Sequence, residues 1–366
     1  MRSTDVGSLP PVVEEALLER GARDVLSPGR SSSGPALEFR RAIEKALRDK
    51  LEAGIELPTY PQFRDMNKMF LSMLKGVELL EGRYVEVGRL EVKDPRIPEV
   101  LVARDSAPEI ADNLGLDKVR LRVCITGPHT LSFSFAFRSP GLLRRLGHVL
   151  AEVVRANTIS GRRFEVEMVV LDEPTFGTVD DPLVEPGSEG REALREAWEE
   201  ALRAARSSGA MTGIHLHSTS DGLFWDVEAL EVVESHVDDP FYSLAETRER
   251  LEETGKLVKA SICRTDFDTL MMRRIRAEKP GLSEHDLMEE VARAWRDIKS
   301  GRTDPAVFLE PVEEMAGRLK AILDFLGPDK VLFAGPECGL KSFPTYGTAL
   351  ECLRRVGAAC GLIGKP

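Results

Sequence analysis

The stretch Gly213-Ile214-His215-Leu216-His217-Ser218 places two histidines two residues apart at the end of an apolar run. The residues from Met211 to Leu216 are typical of a short buried strand, in which residues two apart project from the same face. His215 and His217 are therefore expected side by side where the strand ends. Neutral imidazole is a common metal ligand, so this pair predicts a metal site. A pair of hydrogen-bonded core histidines is the alternative.

Strands and helices alternate on both sides of this stretch. Apolar segments near residues 5, 55, 121, 168, 213, 232, 260 and 332 give eight strands, mostly separated by helical patterns. This alternation implies parallel pairing, and eight such units predict a closed (β/α)8 TIM barrel. We predict one domain over residues 1–366, with a hairpin insertion within about 70–115 and a helical insertion at about 264–305. A doubly wound open sheet competes, but no glycine-rich phosphate loop follows the first strand.

Composition excludes several classes of function. The chain has 366 residues and a net charge of -11, and a nucleic-acid partner would require a surplus of Lys and Arg instead. Apolar runs stay well short of the roughly 18 residues of a membrane span, and the first residues do not resemble a signal peptide. The five cysteines are scattered and odd in number, which is typical of reduced thiols. We therefore expect a cytoplasmic protein.

Polar side chains fall at or just after the predicted strand ends. Active sites of (β/α)8 barrels lie at these carboxyl ends, so the residues are expected to converge. They are Ser8, Gln62, Thr126, Asp172, His215, Glu234, Cys263 and Cys338. His215, Glu234 and Cys338 give a nitrogen, oxygen and sulfur set that suits zinc, with His217 or Cys263 as the fourth ligand. Taken alone, Cys338 would be better explained as a small buried residue before a glycine turn.

Six short motifs occur in an order that resembles a known family. They are Val6-Gly7-Ser8-Leu9-Pro10, Thr126-Gly127-Pro128, Asp172-Glu173-Pro174, the His-x-His strand end, Val233-Glu234-Ser235 and Pro336-Glu337-Cys338-Gly339-Leu340-Lys341. Together they resemble the catalytic barrel of cobalamin-independent methionine synthase, in the superfamily of uroporphyrinogen decarboxylase and zinc thiol methyltransferases. The resemblance covers nearly the whole chain, but only the catalytic half of the long synthase, as in short archaeal and bacterial versions. The Cys-Gly-Leu-Lys segment is its most specific part.

The resemblance implies a metal site and a reaction. Members of the family hold zinc by a histidine, a glutamate and two cysteines, and the zinc binds the homocysteine thiol as a thiolate. By position, these ligands correspond to His215, Glu234 and Cys338, with His217 in place of the first cysteine. With one fewer thiolate, the site carries more net positive charge. Proximity favours His217 as the fourth ligand, whereas charge favours Cys263.

The resemblance also implies a substrate site. Ser8 and Asp172 match positions that hold the amino-acid substrate, and Thr126 is assigned to the same site. Gln62 stands where the family usually has a glutamate, so one contact with the substrate ammonium loses its charge. Asp172 is expected to remain ionised and, with His217, to be catalytic.

The residues of this chain do not identify the methyl donor. The family's proton-donating histidine is replaced by Ser261-Ile262-Cys263-Arg264, and the N-terminal half that helps to bind folate has no counterpart. We therefore predict a zinc-dependent methyltransferase that moves a methyl group from a methylcorrinoid or methyl-pterin to homocysteine, forming methionine. The alternative is a corrinoid- or pterin-binding relative that acts on another thiol or lacks this activity.

Overall fold

The computed structural model describes residues 1–363. Its strands are β1 (Arg2–Ser3), β2 (Leu74–Leu80), β3 (Arg83–Val92), β4 (Val119–Thr126), β5 (Phe164–Glu173), β6 (Met211–Leu216), β7 (Val232–Glu234), β8 (Leu257–Cys263) and β9 (Val331–Pro336). Its α-helices are α1 (Glu15–Leu26), α2 (Gly34–Glu52), α3 (Met66–Leu71), α4 (Pro98–Leu114), α5 (Pro128–Ser132), α6 (Pro140–Asn157), α7 (Glu189–Ser207), α8 (Ala245–Thr254), α9 (Phe267–Glu278), α10 (Glu284–Lys299), α11 (Val312–Leu326) and α12 (Tyr346–Ile363).

Seven of the strands form one curled parallel sheet in the order β1-β9-β8-β7-β6-β5-β4. The prediction of an α/β fold with parallel strands is confirmed. The larger apolar core lies between this sheet and the helices. A smaller apolar cluster fills the concave side, and it consists of Leu57, Cys124, Met168, Val170, Val232 and Phe333. Apolar packing on both faces explains why these strands read as continuous hydrophobic runs.

The strand predicted near residue 55 is not a regular strand. In its place, Leu57, Thr59 and Gln62 make isolated parallel bridges, to Thr4, Arg122 and Ser8 respectively. Pro58 and Pro61 lie within this segment and lack the backbone N–H that a ladder requires, which explains the interrupted pairing. The segment therefore lies between the two edge strands β1 and β4 without joining the sheet continuously.

Both predicted insertions are present. The strands β2 and β3 form an antiparallel hairpin, and its tip residues Glu81 and Gly82 both have positive φ, as a tight I′ turn requires. The helices α9 and α10 form the helical insertion between β8 and α11. The helix α4 follows the hairpin and packs on α2, and the sequence patterns did not predict it. Within residues 1–363, none of the helices combines the length and apolar composition that a bilayer crossing requires.

Candidate metal centre

Three histidines and one cysteine converge at the carboxyl ends of the strands. Within residues 1–363, one ligand atom each from His215, His217, His236 and Cys338 lies within 4.8 Å of all the others. The rings of His217 and His236 are 4.1 Å apart between centroids, and the Cys338 Sγ is 3.6 Å from His217 Nε2. The predicted convergence of His215, His217 and Cys338 is therefore what the structure shows.

The electronic state of these groups suits a metal. His215 is buried, yet neither of its ring nitrogens has a hydrogen-bond partner among the described residues, and the same holds for His236 Nε2. Burial lowers the pKa of His215 well below its usual range and lowers the pKa of His217 and of His236 to about 4. All three imidazoles are therefore neutral at pH 7, with lone pairs free to bind a cation. Buried polar atoms without partners are costly, so the residues present fit a zinc ion.

Glu234 lies beside this cluster but is not part of it. Its carboxylate oxygens accept hydrogen bonds from both terminal nitrogens of Arg122, and Lys259 Nζ lies 3.1 Å from Oε2. Burial would raise the pKa of Glu234, but the two cations outweigh that effect and hold it well below its usual range. The Oε1 atom is 3.7 Å from His215 Nδ1. The structure thus places the predicted ligand Glu234 in an internal ion-pair group.

Cys263 is turned away from the cluster. Its Sγ atom is 3.3 Å from the Sγ of Cys352 on α12, on the side of the sheet where the helices pack. The side chain is buried in the core between β8 and the helices. Of the two candidates for the fourth ligand, His217 therefore lies in the cluster and Cys263 does not.

A cavity of about 250 Å³ opens above the cluster. It is lined by Val6, Ser8, Gln62, Arg64, Asp65, Met66, Asp172, Pro174, His215, His217, Cys338 and Lys341. Three of the four predicted substrate-binding residues, Ser8, Gln62 and Asp172, are therefore in its wall. The fourth, Thr126, is not among the described lining residues. Its hydroxyl donates a hydrogen bond to the Met66 carbonyl, 3.2 Å away, so the structure gives it a supporting position behind the wall.

Asp172 and Glu173 have opposite surroundings although they are neighbours in sequence. Asp172 faces the cavity side, and its Oδ1 has no hydrogen-bond partner in the described part of the chain. Burial raises the pKa of Asp172 to about 8, against the opposing effect of Arg122. Desolvation thus disfavours the charged form of Asp172 in the free protein, and an ionised Asp172 beside a substrate ammonium stays a prediction. Glu173 instead accepts four hydrogen bonds from His129, Thr130 and Trp198.

His236 is the residue of the cluster that the sequence patterns did not identify. It lies two residues beyond Glu234, as His217 lies two residues beyond His215. The same two-residue spacing that singled out His215 and His217 was therefore present at the end of β7. The spacing at β7 gave a weaker signal because its first member is a glutamate rather than a histidine and because the strand has only three residues.

One relative of known description matches about half of the chain. A methionine synthase from Methanocaldococcus jannaschii is 28% identical over 182 residues, which cover 49% of this chain and 54% of that protein. The resemblance to methionine synthases is confirmed. The match spans only about half the length of that curated relative. No family model matches the chain.

Solved structures of methionine synthases share the fold over the whole chain. A B12-independent methionine synthase from Shewanella sp. W3-18-1, in complex with selenomethionine, covers 99% of this chain and 97% of its own, with 15% identity and a TM-score of 0.63. A methyltransferase from Methanosarcina mazei covers 98% of this chain and 94% of its own, with 15% identity and a TM-score of 0.54. At these identities, the likeness concerns the fold.

Proposed function

We propose that the protein is a zinc-dependent methyltransferase that transfers a methyl group from a methyl carrier to the thiol of homocysteine, forming methionine. One observation carries the proposal: buried imidazole nitrogens without partners lie beside a cysteine thiol beneath a polar cavity. The similarity to the methionine synthase of M. jannaschii supports the same reaction class.

His215, His217 and Cys338 would hold the ion together with a fourth residue. When bound, zinc lowers the pKa of a coordinated thiol and so makes a thiolate nucleophile available at neutral pH. Burial raises the pKa of Cys338 to about 12, so its proton must leave when the site is loaded. The neutral histidines need no such proton loss.

The cavity wall would orient the amino-acid end of the substrate. An incoming ammonium beside Asp172 supplies the positive charge that favours the ionised carboxylate, so binding and deprotonation of Asp172 are coupled. The Gln62 carboxamide, 3.7 Å from the Met69 sulfur, contributes polarity without charge. The Ser8 hydroxyl and the Lys341 ammonium lie in the same wall, where a carboxylate finds a donor and a cation.

The proposal also covers the closure of the barrel and the cellular location of the protein. The bridges of Leu57 to Thr4 and of Thr59 to Arg122 link the two edges of the seven-stranded sheet. We infer that the segment from Leu57 to Gln62 takes the place of the eighth strand and closes a (β/α)8 barrel as a single domain. The chemistry requires no membrane, and we expect the protein in the cytoplasm.

The decisive assay measures methionine formation from homocysteine with methylcobalamin, methyl-folate and methyl-methanopterin offered in parallel. We expect turnover with a corrinoid or pterin donor, one zinc per chain, and loss of both in Cys338→Ala. Cys360→Ala is the matched control, because that partly buried cysteine on α12 lies outside the cluster. One zinc per chain with no methionine from any donor would favour the alternative, a corrinoid- or pterin-binding relative that acts on another thiol.

A further inference from the structure

We propose that His236, and not Glu234, completes the metal site, and that Glu234 is a positioning residue for His215. This inference rests on the proposed function, since it concerns the ion that the reaction requires. It differs from the ligand set of one histidine, one glutamate and two cysteines that the resemblance implies.

The first argument is that the charge of Glu234 is already compensated. Both oxygens are engaged by Arg122 and Lys259, and these three side chains are almost fully buried. A zinc ion bound directly to Glu234 would place a third positive charge around one carboxylate in a dry interior, where like charges repel strongly. We therefore assign the Glu234 carboxylate to the ion pairs with Arg122 and Lys259, and not to the metal.

The second argument is the register of the two strands. His215 on β6 pairs with Glu234 on β7 in the parallel ladder. The residues two positions further along are His217 and His236, whose rings are 4.1 Å apart. Two levels result: a lower level of His215 and Glu234 next to the buried cations, and an upper level of His217 and His236 beyond the strand ends. Cys338 approaches the upper level through its contact with His217 Nε2.

The third argument concerns the atoms left without partners. His236 Nε2 is buried and has no hydrogen-bond partner among residues 1–363, while its Nδ1 lies 4.0 Å from Glu337. Glu337 is itself fixed, because it accepts hydrogen bonds from the backbone of Val237 and of Thr265. His215 Nδ1 faces Glu234 at 3.7 Å, which leaves Nε2 for the ion. A carboxylate behind a ligating histidine orients the ring and strengthens it as a ligand.

The assignment predicts an unusual charge for a thiol-activating site. Three neutral imidazoles and one thiolate leave a divalent ion with a net charge of about +1, whereas one histidine, one carboxylate and two thiolates give about -1. A more positive site attracts an anionic thiolate more strongly and lowers its pKa further.

Metal binding by the full chain tests the inference without any methyl transfer. We would titrate the wild-type protein with Co²⁺, follow the absorption bands of the bound ion, and measure Zn²⁺ affinity by competition. His236→Ala is expected to change the band positions and to weaken Zn²⁺ binding more than Glu234→Gln does. Glu234→Gln is expected to keep the band positions and to weaken binding by about 10- to 100-fold. His236→Cys is expected to retain one ion and to gain a second thiolate-to-cobalt charge-transfer contribution.

Two controls keep the outcome clear. His285→Ala removes a histidine that is 84% exposed on α10 and should leave all spectra unchanged. Because Glu234→Gln leaves Arg122 and Lys259 without a counter-charge, the double variant with Lys259→Met restores the original net charge and should show the same bands. Unchanged bands in both His236 variants, with loss of the ion in Glu234→Gln, would overturn the inference. A wild-type chain that binds neither ion would overturn the proposed function too, whereas bound metal without methionine formation concerns the proposed function alone.

Discussion

Glu173 is expected to be a structural residue although it belongs to the same Asp-Glu-Pro motif as Asp172. Its Oε1 accepts hydrogen bonds from the His129 amide at 2.9 Å and from Trp198 Nε1 at 2.8 Å. Its Oε2 accepts from the amide and hydroxyl of Thr130, at 2.8 and 2.7 Å. Through these hydrogen bonds, the carboxylate at the end of β5 links to the start of α5 and to the Trp198 indole on α7.

The substitution Glu173→Gln replaces one of these oxygens by an NH2 group that faces two donors. At least one backbone amide then stays buried without an acceptor, at a cost of about 1–3 kcal/mol, whereas the Thr130 hydroxyl can accept from the new NH2 group and donate to Thr175 Oγ1, 3.0 Å away. We therefore expect the free energy of unfolding to fall by about 2 kcal/mol. With an unfolding entropy of about 2.1 cal/mol/K per residue over a chain of this length, the Tm should fall by about 3 °C.

Thermal unfolding followed by circular dichroism measures this change, and zinc content is determined on the same samples. Glu252→Gln is the matched control, because Glu252 is 62% exposed and pairs only with Arg248 within the described chain. Exposed ion pairs contribute little, so this variant should change stability by no more than about 0.5 kcal/mol. A Glu173→Gln protein that keeps its Tm but loses zinc would refute the structural role and make Glu173 part of the metal site.

Three further predictions concern the substrate, the ligands and the packing of the helices. Asp172→Asn should weaken homocysteine binding by about 10- to 100-fold in calorimetry, because a charged hydrogen bond is lost, and unchanged binding would exclude the ammonium contact. His217→Ala should lose zinc in metal analysis, whereas Cys263→Ala should retain it; the reverse result would return Cys263 to the site. Gly147→Ala should destabilise the protein by about 1–3 kcal/mol in urea, because its Cβ would lie 2.5 Å from the α7 backbone. Gly317→Ala, which meets open space on α11, should instead stabilise by about 0.5–1 kcal/mol.

The alignment of the strand ends was predictable from the sequence because parallel strands share one direction. Thr126, Asp172, His215 and Glu234 are successive register partners across β4, β5, β6 and β7. Each lies at the end of an apolar run in the sequence. The structure shows that these four ends form one row, so a rule about strand ends brings these residues together, whereas it did not identify His236.

The missing regular strand near residue 55 shows where such patterns fail. The segment has the apolar content of a strand, but Pro58 and Pro61 remove two backbone donors, so pairing occurs only at separate bridges. Hydrophobic pattern reports burial, whereas a ladder also depends on hydrogen-bond donors. The seven regular strands have both burial and a continuous row of backbone donors. The segment near residue 55 is buried but lacks two of the donors.

The roles of the acidic and basic side chains depend on how far below the cavity each one lies. A single sequence does not give that distance. Residues two apart in a strand share a face, and this rule led to the expectation that His215 and His217 lie side by side. It cannot say how far below the cavity each side chain ends, because that distance depends on how neighbouring strands are staggered. Arg122 lies four residues before the end of β4, yet its long side chain reaches Glu234 at the end of β7. Glu234, which resembles a metal ligand in the sequence, is therefore engaged by the buried Arg122. His236, two residues later, instead lies in the group of side chains that could hold an ion.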